Sequence, residues 1–431
     1  MNDQTEKYCI IGAGSSGLAA AKNLKSLDIP FDVLEREDDL GGLWNYGKPQ
    51  SAVYRSTHLI SSKPLTEYTD YPMPAEYPDY PSHWQVLEYM RSYARSFDLY
   101  SHIEFKTTVD EIHSAADFWN VTLGTSATRR YRGVIVANGH LWDPKFPEYP
   151  GRFDGVVLHS KNYKTPEVLR DKRVLVIGAG NSGCDIAVES AQNAARTFHS
   201  LRRGYFYVPK YLFGKPADQI GEASLKLRLP VSVRRAINGT LLKLLHGRPE
   251  NFGLPKPDHK LFESHPIINS QMFYYLGHGD IIPKPDVDEL RGDRVRFKDG
   301  SEEEIDVIIY ATGFNITIPF LDKKYLNWQN SHPAFYLNVF HPKYDNLFLA
   351  GFIQPDSGQW GLVDYQTQLI AKFIHAQNRA STRAAAFRKL KAGHLPYLGG
   401  KIRYVDSTRH YLEVEHFSYR QRLKRWIKNL S

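Results

Sequence analysis

Cysteine is nearly absent: the 431 residues contain only Cys9 and Cys184. They stand far apart in elements expected to be buried, so there is no C-x-x-C redox pair and no cysteine-based metal pattern. The histidines show no ligand spacing either, and no metal is expected. No apolar run approaches eighteen residues, which argues against a membrane-spanning helix. The short polar stretch before the strand Lys7 to Ile11 leaves no room for a signal peptide, so a cytoplasmic location is expected. Tandem repeats, low-complexity tracts and a G-x-S-x-G nucleophile elbow are all missing. What is present is an ordinary globular composition, 42% hydrophobic and 24% charged, long enough for two domains. The formal charge of +8 would suit nucleic acid, a membrane surface, or the holding of two phosphate-rich cofactors.

Strands and helices alternate along most of the chain. Lys7 to Ile11, a helix from about Ser16 to Leu27, and Phe31 to Leu34 form a βαβ opening. Residues 41 to 82 read as a long Gly-, Pro- and Tyr-rich loop region. Ser82 is an expected N-cap for a helix with Val86, Leu87, Met90, Tyr93, Ala94 and Phe97 on one face. Residues 103 to 135 alternate as strands, and Pro144, Pro147 and Pro150 mark a linker. A second strand, Arg173 to Ile177, leads to a second glycine turn and helix. The stretch near 210–270 reads as irregular apart from a basic helix near Val231 to Leu245, and Ile305 to Tyr310 is another buried strand. This pattern predicts an α/β fold of two doubly wound, Rossmann-like dinucleotide domains, one inserted into the other. The expected divisions are 1–155 for the first part of the host domain, 156–305 for the inserted domain with its irregular stretch, and 306–431 for the second part with C-terminal helices.

Two loops carry the chemistry. Gly12-Ala-Gly14-Ser-Ser16-Gly17 matches G-x-G-x-x-G, follows a strand and opens a helix. The first glycine permits the tight turn, the second lets a pyrophosphate approach, and the third lets helix and strand pack closely. Glu35 lies 23 residues beyond Gly12 and would accept hydrogen bonds from a ribose 2′-OH while repelling a 2′-phosphate, which selects FAD or NAD. Gly178-Ala-Gly180-Asn181-Ser182-Gly183 repeats the pattern after Val174 to Ile177. No acid stands at the corresponding place; Ser200-Leu-Arg202-Arg203 stands there instead. Arginines pair with a 2′-phosphate through charge and fork geometry, which selects NADP. The plain alternatives are a glycine turn that only packs a helix on a strand, and a solvated basic turn.

Residues 153–163 contain Phe153, Gly155, His159 and Tyr163 at the spacing F-x-G-x-x-x-H-x-x-x-Y. This resembles the signature of class B flavin-dependent monooxygenases, of the N- and S-oxygenating flavin-containing type. Gly41-Gly42-Leu43-Trp44 is similar to that family's G-G-x-W turn near the isoalloxazine, Gly180 to Ala187 to its second nucleotide helix, and Ala311-Thr312-Gly313-Phe314 to its A-T-G-Y/F linker, in which Ala311, Thr312 and Gly313 would touch a cofactor. The resemblance implies an FAD domain interrupted by an NADPH domain. NADPH would reduce FAD, O2 would give a C4a-hydroperoxyflavin, and bound NADP+ would shield it from water while an amine nitrogen or sulfide sulfur attacks. His159 would position rather than act as acid or base. Gln354 and residues 356–359 would lie in the flavin-contacting turn, and Asp364 and Gln366 at the flavin's polar edge. Many members carry an asparagine near the flavin where this chain has Ile60 or Ser61, a departure that points toward a leaky, H2O2-releasing enzyme.

The last helix has Tyr419, Leu423, Trp426, Ile427 and Leu430 on one face and five Lys or Arg residues on the other. It would dock on the core or on a second copy of the chain, or lie on an anionic membrane surface. Competing functions are Baeyer–Villiger oxygenation of ketones, against which Tyr163 weighs because such enzymes usually carry Trp there, and an NADPH oxidase. A disulfide reductase lacks its cysteines, and a dinucleotide-sensing module would not need two sites of opposite ribose preference. The expected partners are O2 and a small amine, sulfide or ketone, with no nucleic acid.

Overall fold

A computed structural model describes residues 2–227 and 229–431. The first sheet is built on β1 (Asn2–Ile11), which is longer than its apolar core Tyr8–Ile11 because its polar N-terminal half pairs with Arg129–Tyr131. β1 runs parallel to β2 (Phe31–Leu34), with Ile10 opposite Val33, and to Thr128–Val136, with Ile10 opposite Ile135. Leu347–Leu349 extends the parallel side, and the hairpin of Val109–Ala115 with Phe118–Leu123 extends the antiparallel side. The central strands are buried on both faces, which is why they read as unbroken apolar runs. α1 (Ser15–Lys25) crosses from β1 to β2 and packs against the helix Trp360–Asn378.

The second sheet is wholly parallel, in the order Ile281–Lys284, Arg196–Ser200, Arg173–Ile177, Val307–Tyr310, Val156–His159. The helix Asn181–Asn193 packs on it. Both expected divisions move. Val307–Tyr310, placed by sequence in the returning host domain, pairs with Val174–Ile177 and so belongs to the inserted unit. Gly151–Phe153, placed before the insertion, pairs with Val287–Gly292 of that unit. A short apolar strand reads alike in either sheet, and only its register decides. The true crossings are Asp143–Pro144 outward and Phe314–Asn315 on return, and these pair antiparallel, Phe314 opposite Pro144.

The stretch near 210–270 holds two helices, Ala217–Lys226 and Val231–His246. The first escaped sequence reading because it starts directly after Pro216 and contains Gly221. The last helix, His416–Leu430, buries Tyr419, Leu423 and Leu430 in the core of the first unit, and Trp426 stands edge-on to Phe387 at 5.2 Å. Most of its apolar face therefore docks on the chain's own core, the first of the arrangements expected for it, with Trp426 and Ile427 only partly buried. Among the described residues no helix is long and apolar enough to cross a membrane.

Candidate functional site

The first glycine loop is pressed between β1 and the strand ending at Val136. Gly12 has φ +102°, a conformation L side chains avoid, and a Cβ there would come within 2.8 Å of the Ala137 carbonyl oxygen. A Cβ on Gly17 would overlap the Gly12 carbonyl, so α1 starts as close to β1 as backbones allow. The free N–H groups at its start open on a cavity of about 400 Å³ lined by Gly12, Gly14, Ser16, Glu35, Gly42, Leu43 and Trp44. Glu35 sits at the end of β2, where one carboxylate oxygen accepts the Ala13 N–H at 2.7 Å and the other the Glu37 N–H at 2.9 Å. Burial nevertheless raises its pKa above the ordinary carboxylate range. Gly42–Trp44, which also lines the cavity, forms a single 3-10 turn against Gly14, with Trp44 edge-on to Trp360 at 6.1 Å. One groove thus brings together a ribose-type acid, a phosphate-type loop and an aromatic turn, a lining that fits a flavin dinucleotide.

Sequence reasoning missed several lining residues. Arg36, beside Glu35, lies over the Trp142 ring at 5.6 Å. Asn138 donates from Nδ2 to the Thr317 carbonyl at 3.0 Å, while its Oδ1 is buried with no partner, an acceptor left for a bound group. Their positions directly after Glu35 and two residues past the strand end at Val136 were the available signals.

The second loop repeats the first. Gly178 has φ +121° and a Cβ on Gly183 would overlap the Gly178 carbonyl, whereas a Cβ on Gly180 would meet nothing within 4 Å. The Asn181 side-chain oxygen accepts the Ile268 N–H at 2.6 Å, pinning a neighbouring segment, and Ser182 is exposed. The two arginines diverge. Arg203 is bound to Asp258 at 2.9 Å, while Arg202 is exposed with no ion pair among the described residues.

The signature residues form a strap between the units. A Cβ on Gly155 would come within 2.6 Å of both the Asp306 carbonyl and the Phe153 ring. His159 accepts the Lys161 N–H at Nδ1 (3.1 Å), so its Nε2 carries the proton and donates to the Gly313 carbonyl at 3.0 Å. Burial holds its pKa below the usual histidine value, as suits a neutral positioning group. Tyr163 donates to Glu189 at 2.6 Å, and Lys164 donates to the carbonyls of Ser51 and Val53 at 2.9 and 3.1 Å. Ala311, Thr312 and Gly313, expected at a cofactor, serve the crossing: the Ala311 N–H donates to Ile177, the Thr312 hydroxyl to the Lys145 carbonyl, and Gly313 receives His159.

Other expected contacts also fall outside the cavity. The Ser61 hydroxyl meets that of Thr66 at 2.8 Å, and neither it nor Ile60 lines the groove. Gln354 is a strand residue paired with Glu413. Gln366 accepts the Gly351 N–H at 3.0 Å and donates to the Tyr419 hydroxyl at 2.8 Å, so it shapes the Gly351 turn from behind. Asp364 is fully buried and receives Lys22 at 3.2 Å, Asn23 at 2.8 Å and the Thr69 N–H at 3.1 Å, tying α1 to the helix that carries it.

A family model for flavin-binding monooxygenase-like proteins matches residues 5–427. Flavin-containing monooxygenase 5 of Rattus norvegicus is 33% identical over 434 residues, covering 95% of this chain and 80% of its own length. Flavin-containing monooxygenase 2 of Homo sapiens is 33% identical over 390 residues, covering 85% of this chain and 73% of its own. Among solved structures, S-allyl-L-cysteine S-oxygenase from Allium sativum aligns over 98% of this chain and 89% of its own, with TM-score 0.68 and 20% identity. A caprolactone-bound cyclohexanone monooxygenase aligns over 98% of both chains, with TM-score 0.71 and 18% identity, and this likeness speaks to fold alone. The chain belongs to the flavin-binding monooxygenase-like family.

Proposed function

We propose that this chain is an NADPH- and O2-dependent flavin monooxygenase that oxygenates a soft nucleophile, an amine nitrogen or a sulfide sulfur. One observation carries the reading: two glycine loops in the same strand–helix setting end in opposite charge, Glu35 at the first and Arg202 at the second. FAD, when bound, supplies electron transfer and oxygen activation. The protein's own share is placement. The first loop and the start of α1 would hold the FAD pyrophosphate, with Glu35 on its ribose and the Gly42–Trp44 turn beside the ring. The second loop would hold the NADPH pyrophosphate, with Arg202 on the 2′-phosphate and Arg203 steadied behind it by Asp258. His159 and Lys164 would keep the two units at working distance and help exclude water.

The test is to reduce the yellow protein with NADPH without oxygen and mix it with aerated buffer and a sulfide or amine. A transient absorption band distinct from those of the oxidised and reduced flavin, carried by the cofactor, and incorporation of one atom from 18O2 into product are expected. A second reading, NADPH oxidase, is favoured by the Ser61 hydroxyl, which is turned to Thr66 and offers the groove no donor. Direct return to oxidised flavin with stoichiometric H2O2 in the presence of substrates would establish it and end the monooxygenase reading.

A further inference from the structure

Buried polar side chains without partners are few in folded proteins, because each has given up water and gained nothing in return. Here several gather in one place. Both carboxylate oxygens of Glu413, Nε of Arg234, the Tyr404 hydroxyl and Nδ1 of His265 are buried with no hydrogen-bond partner among the described residues. Glu413 is 5% exposed and Arg234 7%. Arg234 comes from the helix Val231–His246 and His265 from the segment after it, with its Nδ1 3.5 Å from a Glu413 oxygen. The short parallel pair Gln354–Pro355 with Glu413–Val414 brings Asp356 alongside Glu415.

Two of these three carboxylates are satisfied. Asp356 accepts the His416 N–H at 2.8 Å, and Glu415 caps the last helix by accepting the Phe417 and Ser418 N–H groups at 3.2 and 2.8 Å. Among the described residues Glu413 alone of the three has no hydrogen-bond donor. Burial pushes Asp356 up to about 7, with the Glu415 charge adding to it, and burial raises Tyr404 with the charges of Asp356, Glu413 and Glu415 adding to that. Glu413 is thus left as the buried carboxylate that no donor satisfies, a cost that a bound donor would offset. The turn after Asp356 packs closely on the segment around Leu65. A Cβ on Gly358, two residues past Asp356, would overlap the Leu65 carbonyl, next to the Ser61–Thr66 pair.

We propose that this cluster is a subsite for a primary ammonium group of the substrate, which therefore carries a protonated amine separate from the nitrogen or sulfur that is oxygenated. An ammonium has three donors, and the two Glu413 oxygens and the Tyr404 hydroxyl offer three acceptors. It also has no lone pair, so the anchored amine is itself protected from oxygenation and attack is directed to the other heteroatom. The inference rests on the monooxygenase reading and extends it to a substrate class.

The experiment compares ethyl methyl sulfide with 2-(methylthio)ethylamine on the holoenzyme, and measures n-butylammonium binding to the oxidised holoenzyme by calorimetry. The cationic sulfide should show kcat/KM at least about tenfold higher, the scale of one charge-assisted contact. Glu413→Gln should bring that ratio toward one and weaken butylammonium binding by a similar factor, with Tyr404→Phe giving a smaller change in the same direction. Equal kcat/KM for the two sulfides in the unmodified enzyme, with no butylammonium binding, would overturn the proposal and leave the cluster enclosing ordered water. If neither sulfide is oxygenated yet butylammonium binds in a Glu413-dependent way, the cation subsite stands and the monooxygenase reading falls.

Discussion

Arg202 and Arg203 are neighbours in sequence that do different work. Arg203 is held by Asp258, while Arg202 is exposed with no ion pair among the described residues. Arg202→Ala should raise the KM for NADPH roughly tenfold or more, the loss of one forked charged contact, with little change for NADH. Arg203→Ala should act more weakly in the same direction. Steady-state kinetics with both cofactors checks this, and an equal loss with NADPH and NADH would mean that Arg202 does not meet the 2′-phosphate. Gly17→Ala would set a methyl against the Gly12 carbonyl and should destabilise the first unit by about 1–3 kcal/mol, a typical overpacking cost. Its flavin content after purification should fall with its Tm. Glu35 and the glycines were legible in the sequence because backbone geometry dictates their spacing. Asp364 was misread because its partners Lys22, Asn23 and Thr69 lie about three hundred positions away, and no local pattern announces them.

The helices Trp360–Asn378 and His416–Leu430 are joined through one amide. Gln366 takes the Gly351 N–H and gives to Tyr419, whose hydroxyl donates to the Leu337 carbonyl at 2.6 Å. Gln366→Leu keeps much of the volume but strands the Gly351 N–H and takes from the Tyr419 oxygen its donor. A loss of about 1–3 kcal/mol per buried group left unpaired is expected, read as a lower Tm and faster proteolysis of the last helix. An unchanged Tm would show that water replaces the amide. The glycine loops, their flanking strands and the amphipathic helix after Ser82 could be read from sequence because each has its own period. The strand Val307–Tyr310 was assigned to the wrong unit because four apolar residues carry no address, and Gln354–Pro355 is too short to have any period.

Several histidines are buried and neutral throughout the molecule. His140, His199, His341, His410 and His416 are each pushed down to about 4 by burial. An unfolded histidine titrates near ~6.5. Above that pH these residues add no pH dependence. As pH falls from there toward 4 the unfolded chain takes up protons that the fold refuses, so stability is lost across this window and levels off below it. The Tm of the holoenzyme should therefore drop steeply between about pH 6.5 and 4.5, and a flat profile there would mean that these rings are protonated in the folded protein. The two-unit plan was legible in the sequence from the paired loops, whereas the crossings were not, since the pairing of Phe314 with Pro144 depends on residues brought together only by the finished fold. That pairing has an architectural consequence. The inserted unit leaves and rejoins its host through two chain segments one strand spacing apart, ~4.8 Å, like a cassette in a slot. Cutting both segments and bridging the host with a short glycine–serine turn should yield a colourless NADP+-binding module and a yellow, NADPH-blind remainder, two proteins from one gene.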